Sequence, residues 1–425
     1  MSTRRVFYGW VVVATAALGL FLGAFPIAVF AFGVFFGQFA REFHASRGAI
    51  SLAFTTLAIV SALSGVIIGR LCDRFGARKV ILCGLALLGM VLLSAEILGT
   101  QLWQLYVFYA AIGVVAPATT SIPYSLVVSH WFNRRRGLGL GLMMVGLGAG
   151  AIVIPPVAQR LTDSFGWRAT FAIFGLVVLL LPIASVLAFL KETPAEVGLL
   201  PDGESQTAIT QCLLRAPDGM TWRETWHSRM FWLMVTAFVL VAASVHACII
   251  HMPELFADRG ASARTAAMAS SVLGVAVLLG RIGCGYLLDL VFGPSVALFI
   301  FLQAAAGIAF LSIGRAGPVA LIGAFLVGLG FGAEVDIIAY LMSRYFGLRS
   351  FGAAFGFAFG AFVLAGGLGP LLMGIGFDRT GSYRMPLTGF FLLTLVAAAM
   401  MGRLGPYLYG TANPECERVR QGAEA

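Results

Sequence analysis

The chain has 425 residues, 60% of them hydrophobic and only 11% charged, with 52 glycines. No soluble domain of this length hides so much apolar side chain in one core, so the solvent for most of the chain is lipid. The formal net charge of +9 does not point to nucleic acid, because the 28 Lys+Arg fall in short clusters between apolar runs and not on one basic face.

Arg4 and Arg5 precede an apolar run over about 10–36. That run exceeds the apolar core of a signal peptide and is read as a retained first span. A helix needs roughly 20 apolar residues to cross the hydrocarbon, and runs of that length follow near 9–37, 49–69, 79–98, 103–131, 138–159 and 168–190. After a polar stretch the pattern resumes near 231–254, 265–287, 294–313, 317–343, 353–376 and 386–405. The stretch 191–229, rich in Pro, Asp, Glu, Thr and Arg, is too polar to cross a bilayer and reads as a linker. The expected architecture is all-α, with twelve transmembrane helices in two pseudo-symmetric six-helix bundles. Its parts are an N-terminal bundle at 1–190, a cytoplasmic linker at 191–230, a C-terminal bundle at 231–410 and a cytoplasmic tail at 411–425.

Lys and Arg are retained on the cytoplasmic side. With the N-terminus inside, these spans leave 18 Lys/Arg inside and 9 outside, with Arg281 within a span. Both termini are therefore expected in the cytoplasm, and the location expected is a bacterial-type inner membrane. The cysteines Cys72, Cys83, Cys212, Cys248, Cys284 and Cys416 are scattered, with no His at metal-ligand spacing, so neither a disulfide framework nor a metal site is indicated.

The halves echo each other. Gly65 answers Gly280, Gly137 answers Gly352, Gly141 answers Gly356, Pro155 answers Pro370, Asp163 answers Asp378 and Gly166 answers Gly381, each 215 residues apart. Asp73 and Asp289 match at 216.

Between the second and third spans stands Gly69-Arg70-Leu71-Cys72-Asp73-Arg74-Phe75-Gly76-Ala77-Arg78-Lys79. Gly69 permits close helix approach, Gly76 a tight turn, and Asp73 can bond backbone amides or arginines of a neighbouring helix end. The segment resembles the signature loop of the major facilitator superfamily. That resemblance implies a solute carrier whose loop, through Gly69, Asp73, Arg74, Gly76, Arg78 and Lys79, latches the cytoplasmic side in one conformation. A degenerate copy around Asp289 lacks the basic residues and is the weaker latch.

Further segments are similar to the bacterial monocarboxylate-transporter and oxalate/formate-antiporter branch: Phe7-Tyr8-Gly9-Trp10, Gly166-Trp167-Arg168, Tyr345-Phe346-Gly347-Leu348-Arg349 and Asp378-Arg379-Thr380-Gly381-Ser382-Tyr383. The branch implies small organic anions, moved with protons or by exchange. Its oxalate exchangers are associated with a basic residue in the eleventh span as well as the eighth. Residues 353–376 hold no Lys or Arg, so a single carboxylate is favoured over a dicarboxylate on charge balance.

Arg281 lies eight residues before Asp289, roughly 12 Å into the membrane. Ionisable groups at that depth mark substrate or ion paths, and the guanidinium fork suits a carboxylate. Asp336, eight residues before Arg344, stands at the same depth, with Glu334 about 200° round the helix from it. Asp336, on the face of Tyr340 and Ser343, is expected to line a cavity and carry the coupling proton ahead of Glu334. His251, at a position where the branch carries histidine, and Tyr124 beside Pro123 are further substrate candidates. The Gly-rich stretches 137–150 and 352–369 lack the Lys-Ser/Thr ending of a phosphate loop and read as helix-crossing seams. No cofactor, metal, catalytic set or nucleic acid is expected. The expected partners are a small organic anion, a proton and the lipid bilayer, with a monomer as the functional unit.

Overall fold

A computed structural model describes residues 7–45, 47–203, 219–260, 263–313 and 317–409. The expected tail at 411–425, with Cys212 and Cys416, lies outside the described residues. The helices are α1 (Tyr8–Phe21), α2 (Phe32–Glu42), α3 (Arg47–Phe75), α4 (Ala77–Leu93), α5 (Leu102–Val115), α6 (Ser121–Trp131), α7 (Arg136–Phe189), α8 (Trp222–His227), α9 (Arg229–Ile250), α10 (Met252–Ala257), α11 (Ala263–Leu290), α12 (Gly293–Ser312), α13 (Pro318–Phe346), α14 (Phe351–Thr380) and α15 (Arg384–Met401). Eleven segments among the described residues are long and apolar enough to cross a bilayer.

One of the eleven counts twice. Helix α7 has 54 residues, about 81 Å at 1.5 Å per residue against a hydrocarbon thickness of about 30 Å. Its course breaks at Gly166, whose φ of 81° is natural only for glycine. The hydroxyls of Thr162 and Thr170, eight residues apart, meet at 3.1 Å, so the chain doubles back there. Gly381, its counterpart in the repeat, has φ 65° and ends the run after α14. Twelve traverses result, in an all-α membrane protein.

Two compact units are present. Of the described residues, the first holds 7–45, 47–203, 219–223, Met342–Phe357 and 407–409, and the second holds those within Glu224–Leu341 and Ala358–Pro406. The linker stretch is partly folded: α8 lies within it, and α9 starts at Arg229.

In the first unit, the first and fourth traverses are not continuous helices. After α1, Pro26 has no N–H to give and its ring crowds the preceding carbonyl. The backbone widens into a π-helical turn over Phe25–Phe30, with Ala31 N–H bonded to Pro26 O at 3.3 Å, before α2 resumes. Pro117 similarly ends α5 in a 3-10 turn, Ala116–Thr119, and extended Thr120 leads into α6. The breaks meet: Thr119 Oγ1 accepts the Ala24 N–H at 3.2 Å, and a Cβ on Gly23 would stand 2.6 Å from Thr119 O. At the far end of this unit, Phe39 packs edge to face with Tyr109 and Trp167, Trp167 does the same with Phe171, and Phe35 lies tilted against Phe171. Arg168 ion-pairs with Glu42 and donates to Leu98 O at 2.8 Å, holding the corner beside Gly166.

In the second unit, α12 and α13 cross through Gly307 and Gly323, each lying against the other's backbone carbonyl. Ser244 of α9 reaches Phe390 O of α15 at 3.3 Å.

Candidate functional site

Close helix approach builds the charged centre of the second unit. A Cβ on Gly328 of α13 would stand 2.7 Å from Leu273 O of α11, and one on Gly332 would overlap the Val277 carbonyl. Gly280 returns the contact against Leu329. Leu273 and Val277 meet Gly328 and Gly332 in the same chain order, so α11 and α13 run parallel. One turn further along both helices Arg281 comes within electrostatic reach of Asp336 and Glu334. Gly330 faces the other way, with its would-be Cβ 3.0 Å from Ala304 of α12, and Glu334 sits one turn beyond it.

The three ionisable groups are buried, Arg281 at 5% exposure, Asp336 at 1% and Glu334 at 0%. Arg281 is within electrostatic reach of Asp336 first and Glu334 second, yet forms no ion pair with either. Arg281 Nε and Nη1, both Glu334 carboxyl oxygens and Asp336 Oδ2 are buried without hydrogen-bond partners. A charge withdrawn from water without a paired partner costs several kcal/mol. Such a centre suits an incoming anion on one side and an exchangeable proton on the other. Ser343, expected beside Asp336, is engaged elsewhere: its Oγ accepts from Arg136 Nη1 at 2.9 Å.

The other sequence candidates stand apart from this centre. Tyr124 is in the first unit, fully buried, with its unpartnered hydroxyl over Gly19. His251 follows the C-terminal end of α9, where Nδ1 meets Tyr383 Oη at 3.2 Å and Nε2 meets Pro370 O at 3.0 Å. An open cavity of about 220 Å³ adjoins it, lined also by Gly374, Phe377 and Asp378.

The signature loop lies in the first unit. Asp73 accepts the backbone N–H groups of Gly352 at 2.7 Å and Ala353 at 2.9 Å, the first turn of α14. Gly69 makes this possible, since a Cβ there would overlap the Gly352 carbonyl. Gly76 has φ 90° and lies against Glu192, whose carboxylate accepts the Ala77 N–H at 2.7 Å. Arg78 donates to Leu187 O at 2.9 Å, while Arg74 and Lys79 are exposed. Asp289 holds the matching place near the end of α11.

Several participants were not singled out in the sequence. Glu192 caps α4, and the Asp202 carboxylate accepts from the N–H groups of Asn133 and Arg134 at 3.1 and 2.8 Å. The only local signal is the Thr193-x-x-Glu196 capping box, present in the structure just after Glu192.

The description Major Facilitator Superfamily belongs to a family model that matches residues 16–370. The chain belongs to the major facilitator superfamily. It is 27% identical over 401 residues to human monocarboxylate transporter 11, covering 91% of this chain and 80% of that protein. It is 26% identical over 377 residues to rat monocarboxylate transporter 12, covering 80% of this chain and 77% of that one. Among solved structures, a proton:xylose symporter, XylE, superposes with TM-score 0.73 at 16% identity over 97% of this chain and 99% of that one, a likeness of fold. Membership makes the protein a multi-pass membrane transporter and not an enzyme.

Proposed function

We propose that this major facilitator carries a small organic anion, a monocarboxylate in the first instance, together with a proton, by alternating access. The observation that carries the reading is the centre of α11 and α13: buried Arg281 within electrostatic reach of Asp336 but unpaired. Arg281 takes the carboxylate through its fork. Asp336 neutralises Arg281 in the empty carrier and accepts a proton when the substrate assumes that role, so the two are bound together. Glu334, turned toward α12, is the second proton candidate. Tyr124 and His251 are secondary substrate contacts, each within its own unit. The 26–27% relatives named as monocarboxylate transporters support the substrate class.

Both termini are cytoplasmic in this reading, which puts the Asp73 bond and the loop through Arg74, Arg78 and Lys79 on the inner face as a gate, with Asp289 as its weaker counterpart. The duplicated halves 1–190 and 231–410 rock about the site, and one chain suffices. Export, or exchange of another small organic anion, uses the same centre without net proton movement.

The test is uptake of labelled monocarboxylates into proteoliposomes holding the purified chain, with and without an inward proton gradient. The reading expects concentrative uptake that the gradient drives and a protonophore collapses. Uptake indifferent to pH but stimulated by internal anion would replace symport with exchange, and no uptake of any carboxylate would overturn the substrate class.

A further inference from the structure

The linker stretch carries a residue that the Arg281 centre does not use. Asp202 lies in the short turn Pro201–Gly203 with φ 61°, a left-handed conformation that aspartate tolerates better than most residues. Its carboxylate gathers three consecutive backbone N–H groups of the turn between α6 and α7: Asn133 at 3.1 Å, Arg134 at 2.8 Å and Arg135 at 3.4 Å. Successive N–H groups that converge in a turn form a nest for negative charge, and here the chain fills the nest with its own side chain.

That turn is also bonded to the last turn of α13. The Asn133 carbonyl accepts from Arg344 Nη2 at 2.7 Å, and the Asn133 side-chain oxygen accepts from Arg344 Nη1 at 3.0 Å. Arg136, the first residue of α7, donates to Phe132 O and Ser129 O at 3.0 and 3.1 Å and gives its remaining nitrogen to Ser343. Both arginines are buried, Arg136 at 6% exposure and Arg344 at 7%. A buried guanidinium is costly once its acceptors move away, so these bonds depend on where the turn holds Asn133 and Arg136. Asn133 is the joint: its N–H serves the linker, and its two oxygens serve α13.

We infer that Asp202 is a positioning residue of the transport cycle. By fixing the turn between α6 and α7 it sets two contacts, Asn133 with Arg344 and Arg136 with Ser343, that join segments drawn from the two sequence repeats. Alternating access requires contacts of this kind to open and re-form, whichever solute is carried. A carboxylate that only fastened the linker would protect its own three donors and nothing beyond them.

Hydrogen–deuterium exchange of the purified full chain in lipid nanodiscs separates the two roles. Asp202→Asn keeps the size and the tolerance of a left-handed backbone while removing the charge, and Asp202→Gly removes the side chain and relaxes the backbone. Both variants are expected to quicken exchange at least about three-fold at the amides of 133–135 and also at those of 342–346, where Asp202 makes no hydrogen bond. Coupling is reciprocal, so Ser343→Ala, which removes an acceptor of Arg136, should quicken 133–135 as well. Amides of 81–92 in α4 should keep their wild-type rates. Quickening confined to 133–135 in both Asp202 variants reduces Asp202 to a fastener of the linker and overturns the inference. Quickening that spreads equally to 81–92 overturns it too, since Asp202 would then serve general stability.

Discussion

Asp73 Oδ1 accepts the backbone N–H of Gly352 at 2.7 Å, a bond joining residues 279 apart in the chain. With its partner bond to Ala353 it places a carboxylate on the N-terminus of α14, where the helix dipole favours negative charge. The end of α3 and the start of α14, drawn from the two sequence repeats, are thereby tied within the first unit.

Asp73→Asn keeps the size and removes the charge. A hydrogen bond to a charged group contributes about 1.5–3 kcal/mol, enough to shift a conformational equilibrium about ten-fold or more. The expected outcome is a fall of that order in maximal transport rate with the half-saturating substrate concentration little changed. Initial-rate uptake over a substrate series checks it, and an affinity loss at unchanged maximal rate contradicts the gating role.

Gly332→Val inserts side-chain bulk against the backbone of Val277 and forces α11 from α13. Overpacking of this kind costs about 1–3 kcal/mol. Both a lower melting temperature and loss of substrate affinity are expected, because the close approach of α11 and α13 that brings Arg281 within reach of Asp336 depends on that contact. Gly283→Ala, at a glycine with open space around it, is the control and should leave both readings near wild type.

Arg281→Lys preserves charge and loses the fork, and affinity for the monocarboxylate should fall at least about ten-fold. Normal transport by this variant would move the substrate site elsewhere.

Asp336→Asn should abolish accumulation driven by a pH gradient while leaving exchange of internal for external substrate. In the parent, lowering the external pH should raise uptake, since more carriers load the proton from outside, and the variant should lose that slope. Glu334→Gln should keep the slope. If Glu334→Gln alone flattens it, the proton travels on the α12 side of α13.

How far these features could be read from the chain varies with their range. Twelve traverses, with a break between the fifth and sixth, follow from hydropathy and spacing, which are local or periodic signals. Gly328 and Gly332 stand four apart in the chain, but only the structure says which helix each one meets. The interruptions of the first and fourth traverses were not legible, because Pro26 and Pro117 sit in apolar runs, and membrane helices often tolerate proline without breaking. The capping of α4 by Glu192 and the hold of Asp202 on the turn before α7 were hidden for a different reason. A carboxylate that bonds backbone amides more than 60 residues away leaves no mark on its own neighbourhood.

The fold-back at Gly166 bears on how the protein is made. The two arms of α7 are separated by one non-helical residue and stitched by Thr162 and Thr170, so there is no loop to be threaded across on its own. Neither arm can take its final depth in the bilayer without the other, and the pair must settle as a preformed hairpin. A chain stalled during synthesis shortly after Gly166 would hold half of that hairpin, an apolar arm whose packing partner has not yet left the ribosome.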